Sequence, residues 1–92
     1  MTSSTKIEYV LNNPDQYIFT FDLGCAAALA CMGYDLIALD KTNPRKAQFI
    51  FSRDSEGIDE AVQRYFSSEG LSVNARGYFD ALRMLKTRLY SV

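Results

Sequence analysis

Thr20-Phe21-Asp22-Leu23-Gly24-Cys25-Ala26-Ala27-Ala28-Leu29-Ala30-Cys31-Met32-Gly33-Tyr34 is the stretch that decides how the rest of this chain must fold. From Leu23 to Met32 the side chains are apolar all round and mostly small, so the pattern predicts a helix with no face left for water. Asp22, or Thr20 just before it, offers an oxygen to cap the first turn, and Gly33 offers the left-handed backbone that ends such a helix. A helix without a polar face must be covered, either at the centre of the fold or by another subunit. Small side chains permit close backbone approach in both cases.

Working outward toward the N-terminus, Tyr17-Ile18-Phe19-Thr20-Phe21 is a β-branched and aromatic run with period two, which predicts a short strand. Asn12-Asn13-Pro14-Asp15 before it is a loop signal, since proline cannot continue a helix and Asn and Asp stabilise turns. Lys6 to Leu11 fits a short strand or a helical turn equally. Residues 1–16 are therefore set apart as an N-terminal segment, and 17–92 are expected to form one domain.

Toward the C-terminus, Asp35 to Asp40 and Ala47 to Ser52 are strand-like runs, joined by Lys41-Thr42-Asn43-Pro44-Arg45-Lys46 with Pro44 at the second position of a tight turn. They predict an antiparallel hairpin. Ile37 and Leu39 on one strand, with Ala47, Phe49 and Phe51 on the other, are the expected core face. Leu36, Ala38 and Ile50 make the opposite face apolar too, so a helix or another subunit is expected to cover it. From Asp54-Ser55 the pattern turns helical: Ile58, Ala61, Val62, Tyr65 and Phe66 form one stripe, acids crowd its start, and Gly70 stops it. Asn74 then caps a last helix with a stripe of Ala75, Tyr78, Phe79, Leu82, Leu85 and Leu89. The expected class is α+β: a short strand, an apolar helix, an antiparallel β-hairpin, then two amphipathic helices packed on the sheet.

Composition bounds the chemistry. Ninety-two residues allow one domain, and 48% hydrophobic against 23% charged residues is far too apolar for disorder. Ten basic and eleven acidic residues leave a net charge of -1, so any nucleic-acid contact must come from a local patch. The sequence has no histidine, which removes the commonest neutral-pH acid/base, the commonest zinc ligand and every Ser/His or Cys/His pair. Cys25 and Cys31 fall about 120° apart around one helix and cannot bridge within it. Free thiols in an apolar helix point to a reducing, cytoplasmic setting. The first dozen residues do not resemble a signal peptide, and no apolar run reaches the roughly 18 residues of a membrane span.

The order Thr20-Phe21-Asp22, Gly33-Tyr34, Leu39-Asp40, Asn43-Pro44-Arg45-Lys46 and Phe49-Ile50-Phe51, followed by Tyr65, Val73, Tyr78-Phe79, Leu82 and Leu85-Lys86, resembles a small single-domain family of unknown function. Its members occur in bacteria, archaea and their viruses or mobile elements. The similarity runs from Tyr17 to Ser91 and lies mostly on core and turn positions, so it implies a fold. It brings no activity, cofactor or catalytic residue with it. It does imply a context, since short chains carried by phages and mobile elements often act by binding host or phage macromolecules.

Candidate binding residues come from uneven charge. Lys41, Arg45, Lys46 and Arg53 follow one another without an acid between Lys41 and Arg53, while Arg76, Arg83, Lys86 and Arg88 outweigh Asp80 in the last helix. On one side of the fold they would contact phosphates while Tyr90 or Tyr34 stacks on a base. As plain surface chemistry they keep a hairpin tip soluble and pair Arg76, Asp80 and Arg83 along a solvated helix face. Cys25 near a helix start has a nucleophile's position, but Asp22 opposes thiolate formation and no histidine is present, so a packing role is expected. Asp54, Glu56, Asp59 and Glu60 read as helix-start acids without calcium-loop spacing, and the glycines are scattered singly. No metal, cofactor or catalytic residue is therefore expected.

Twelve Phe and Tyr residues, six of each, are more than such a core obviously needs, and aromatics favour interface centres. The expected function is a non-enzymatic binding protein, a homodimer acting by protein contact as an accessory or inhibitory factor of a phage or mobile element, for example against host defence. The alternative is a nucleic-acid-binding module using Lys41, Arg45, Lys46, Arg53, Arg76, Arg83, Lys86 and Tyr90.

Overall fold

The computed structural model describes residues 10, 12–43, 45–53 and 56–91. A 3-10 turn at Pro14–Gln16 leads into strand β1 (Tyr17–Thr20), helix α1 (Leu23–Cys31), strands β2 (Leu36–Asp40) and β3 (Gln48–Ser52), and helices α2 (Ile58–Phe66) and α3 (Ala75–Tyr90). The class is α+β, with one antiparallel sheet in the order β1-β3-β2. Phe49-Ile50-Phe51 is buried on both sides of the sheet, as an unbroken apolar run in a central strand should be.

α1 begins as its sequence predicts. The Asp22 carboxylate accepts from the Cys25 N–H at 2.8 Å, and the Thr20 hydroxyl accepts from the Asp22 N–H at 3.1 Å. It ends in a Schellman turn: Gly33, at φ 94°, donates to the Ala30 carbonyl, and Tyr34 donates to that of Leu29. Cys25 to Leu29 are buried, and α3, α2 and the sheet close over them. The apolar helix is thus the centre of the fold, and its cover comes from within the chain.

The hairpin differs from its expected alternation. Leu36 pairs with Phe51 and Leu39 with Phe49, and a bulge absorbs the extra residue between Leu36 and Ala38. Two residues therefore separate side chains that reach the same core, so Leu36 and Leu39 face the helices with Ile18, Phe49 and Phe51. Ile37 turns to the outer face, against the alternation expected for it. Ala47 joins neither apolar cluster. On the outer face Ala38 and Ile50 close around a fully buried Val10, with Tyr17, Phe19 and Ile37 at the margin. Val10 is itself helical, so of the two covers expected for this face, a helix or another subunit, the described residues supply the helix. The remainder of Lys6 to Leu11 lies outside the described residues, as do Asp54 and Ser55.

Three stripe positions are corrected. In α2, Ile58 and Ala61 are buried with Val62 and Tyr65 beside them, but Phe66 is 61% exposed. It is the last residue of a short helix and leans edge-on against Tyr65, with ring centroids 4.9 Å apart. The helix also stops before Gly70: Ser67 is extended, and its hydroxyl donates to the Arg64 carbonyl at 2.9 Å. In α3 the Asn74 side chain caps the Gly77 N–H at 2.7 Å. Its buried line runs through Tyr78, Ala81, Leu82, Leu85 and Leu89, which rotates Ala75 and Phe79 out to solvent.

Candidate functional site

The hairpin connection and the end of α3 meet. Asp40 ends β2 in a local turn, accepting from the Thr42 hydroxyl at 2.6 Å and its N–H at 3.0 Å; these bonds hold its carboxyl below the ordinary aspartate value. The Asn43 carbonyl then accepts from the Lys46 N–H at 3.1 Å, closing the tip; Pro44, expected at the turn's second position, lies outside the described residues. From this tip the Lys41 ammonium donates to the Arg88 carbonyl at 3.2 Å and the Ser91 carbonyl at 2.8 Å. A cation at the negative end of a helix dipole is favourable, so the contact caps α3 and fastens it to the hairpin.

Between these elements lies a cleft of about 500 Å³. Leu23, Ala47, Phe49 and Leu89 supply apolar walls, while Lys41, Arg45 and Lys46 give the rim its charge. Phe21 and Tyr90 flank it, 50% and 81% exposed. The Lys46 ammonium stands 4.7 Å from the centre of the Phe21 ring, a cation–π contact. Among the described residues lining the cleft there is no carboxylate.

The other basic residues stand elsewhere. Arg53 follows the far end of β3, paired with Asp59 at 3.4 Å and donating to the Asp15 carbonyl at 3.1 Å. Arg76 pairs with Asp80 at 3.3 Å, about 21 Å along α3 from Tyr90 at 1.5 Å per residue. Arg83 lies over the Phe79 ring at 5.7 Å, and Lys86 is exposed on the same helix. Tyr34 sits across β2 from the tip, donating to the Glu56 carbonyl at 3.3 Å. So Lys41, Arg45, Lys46 and Tyr90 share one cleft, and Arg53, Arg76, Arg83 and Lys86 do not line it.

Phe21 is the cleft residue the sequence reading missed. The period-two run makes it look like a strand residue, but β1 ends at Thr20 and the Asp22 cap turns the chain away. The signal that finds it is the cap: a residue between a strand end and an N-cap belongs to neither element.

A second polar cluster surrounds the start of α1. The Tyr65 hydroxyl bonds to the Asp22 carboxylate, with the Tyr78 hydroxyl nearby, over the bare Cα of Gly24. Burial, with Asp22 adding to it, pushes the Tyr65 hydroxyl up to about 12. Burial and the same carboxylate also raise the Cys25 thiol, against a smaller opposite pull from a hydrogen bond with Thr20. A nucleophilic thiol needs the reverse shift. Asp59 and Glu60 are occupied by Arg53 and Arg64 at 3.4 Å and 4.0 Å. Among the described residues no helix is long and apolar enough to cross a membrane.

A family model for a domain of unknown function, DUF5659, matches residues 15–91. No curated protein and no solved structure matches the chain.

Proposed function

The chain belongs to the DUF5659 family, and we propose that it is a non-enzymatic binding protein that grips a protein partner through the cleft between hairpin tip and α3. The observation that carries this reading is the pair Phe21 and Tyr90, two exposed aromatics from separate elements flanking an apolar floor under a basic rim. Binding sites commonly combine an apolar floor with a few placed polar groups, and aromatic and arginine side chains carry much of the energy at protein interfaces. The high Cys25 thiol value and the missing histidine support binding over nucleophilic chemistry. The free thiols support a cytoplasmic setting, and the family resemblance supports an accessory or inhibitory role in a phage or mobile element, such as countering host defence.

A nucleic-acid module built on the same cations is the second reading, favoured by the exposure of Tyr90, which leaves its ring open to stacking. Against it stand the pairing of Arg53 and Arg76 with acids and the net charge of -1.

The test is co-purification from the encoding organism, comparing the wild type with Phe21→Ser and Tyr90→Ala. The expected result is a protein retained by the wild type and lost by both variants. Equal recovery by all three rules out the cleft. Oligonucleotide binding that falls steeply with salt, its slope reduced by Lys46→Ala, replaces this reading with the second. Light scattering on the same samples reports whether the partner is a second copy.

A further inference from the structure

We infer that the cleft takes a short acidic segment of a partner protein, which inserts one apolar or aromatic side chain between Phe21 and Tyr90. This rests on the protein-binding reading above and names its ligand class.

Charge sets the first half of the inference. Three cations line the cleft, and no carboxylate does among the described residues. Lys41 is already engaged by the carbonyls of Arg88 and Ser91, so Arg45 and Lys46 are left to meet a ligand's charge. Two cations on a low-polarity floor favour carboxylates on the visitor and reject basic segments, which would bring like charges together. Shape sets the second half. A space of about 500 Å³ fits one or two side chains of a projecting segment and not the face of a folded domain.

The same contacts argue against a nucleic acid here. The Lys46 ammonium sits over the Phe21 ring at 4.7 Å, a local charge beside the apolar floor and not part of a track for a backbone. A phosphodiester chain also needs cations in a row, and Arg53 and Arg76 are paired elsewhere. Of this chain's own acids, Asp59, Glu60 and Asp80 lie on helices and are paired with arginines, so they do not supply such a segment.

The experiment is an NMR titration of the full isotopically labelled chain with the synthetic peptide Glu-Asp-Glu-Phe-Glu-Asp. Parallel arms use the same peptide with alanine for phenylalanine, one with Gln and Asn for the acids, and oligothymidylate. The expected result is saturable shifts at Phe21, Leu89 and Tyr90 with the acidic Phe peptide, and binding weaker by about fivefold or more with either altered peptide. Arg45→Glu with Lys46→Glu should weaken the acidic peptide by about tenfold, from two reversed rim charges at about 0.5–1 kcal/mol each. Tyr90→Ala, at a surface position, is the second variant and should weaken it as well.

Equal binding of the neutral peptide, indifference to the double charge reversal, shifts by oligothymidylate alone, or no binding by any peptide overturns the proposal. The broader reading fails separately, when co-purified protein is retained by Phe21→Ser and Tyr90→Ala.

Discussion

The Lys41 ammonium donates to the Ser91 carbonyl at 2.8 Å, so the hairpin tip holds the end of the last helix from 50 residues away in sequence. The bond joins a turn to the one part of α3 whose carbonyls have no intrahelical partner. Lys41→Met keeps the stem and removes the charge. It should lower stability by about 0.5–1 kcal/mol and raise amide exchange at Leu89, Tyr90 and Ser91, with Leu85 unchanged. Urea denaturation and hydrogen exchange read both, and unchanged exchange at the helix end would discount the bond.

Gly24→Ala should destabilise the fold although alanine is the better helix former by about 1 kcal/mol. An added Cβ at Gly24 would run into the Tyr65 hydroxyl and crowd that of Tyr78, which stands 3.2 Å from its position. Overpacking of this kind costs about 1–3 kcal/mol. Tyr65→Phe removes the obstructing oxygen, so the double variant should recover part of the loss. A cycle of urea midpoints measures the coupling, and strict additivity would contradict the geometry.

Tyrosinate absorbance should show a late step near pH 12 that Tyr65→Phe abolishes. The folded chain holds this hydroxyl above its usual value of 10, so its contribution to stability is complete below pH 10. As pH rises toward 12 the unfolded chain ionises first, and the contribution drains away. Stability of the wild type should therefore fall more steeply over that window than stability of Tyr65→Phe.

The two thiols should separate by rate. Cys25 is buried with its thiol value raised, while Cys31 is half-buried and 3.8 Å from the Asn74 carbonyl. Iodoacetamide at neutral pH, followed by mass spectrometry of peptides, should label Cys31 first and Cys25 only as the chain opens. Faster labelling of Cys25 would restore it as a candidate nucleophile.

What was legible in the sequence is what local chemistry decides. Asp22, Gly33 and Asn74 cap or stop helices through bonds within a few residues, and each does so where its neighbours predict. The sharing of faces in β2 was not legible, because the bulge between Leu36 and Ala38 answers to what the sheet meets and not to its own alternation. Phe79 was misplaced for a related reason: Ala81 carries the buried line of α3, and a small residue adds little to an apolar stripe. Of the cleft, Lys41, Arg45, Lys46 and Tyr90 stood out by charge and type. Phe21 and the junction of hairpin with α3 depend on contacts between residues far apart in sequence, which no window of residues displays.

Val10 lies outside the stretch that matches the family, yet it fills the centre of the outer sheet face against Ala38 and Ile50. A fragment trimmed to the matched boundary would keep the whole sheet and the three helices from Leu23 onward and still bare an oily floor around Ile50. Such a piece would be prone to clump, and its behaviour in solution would be a poor guide to the parent chain.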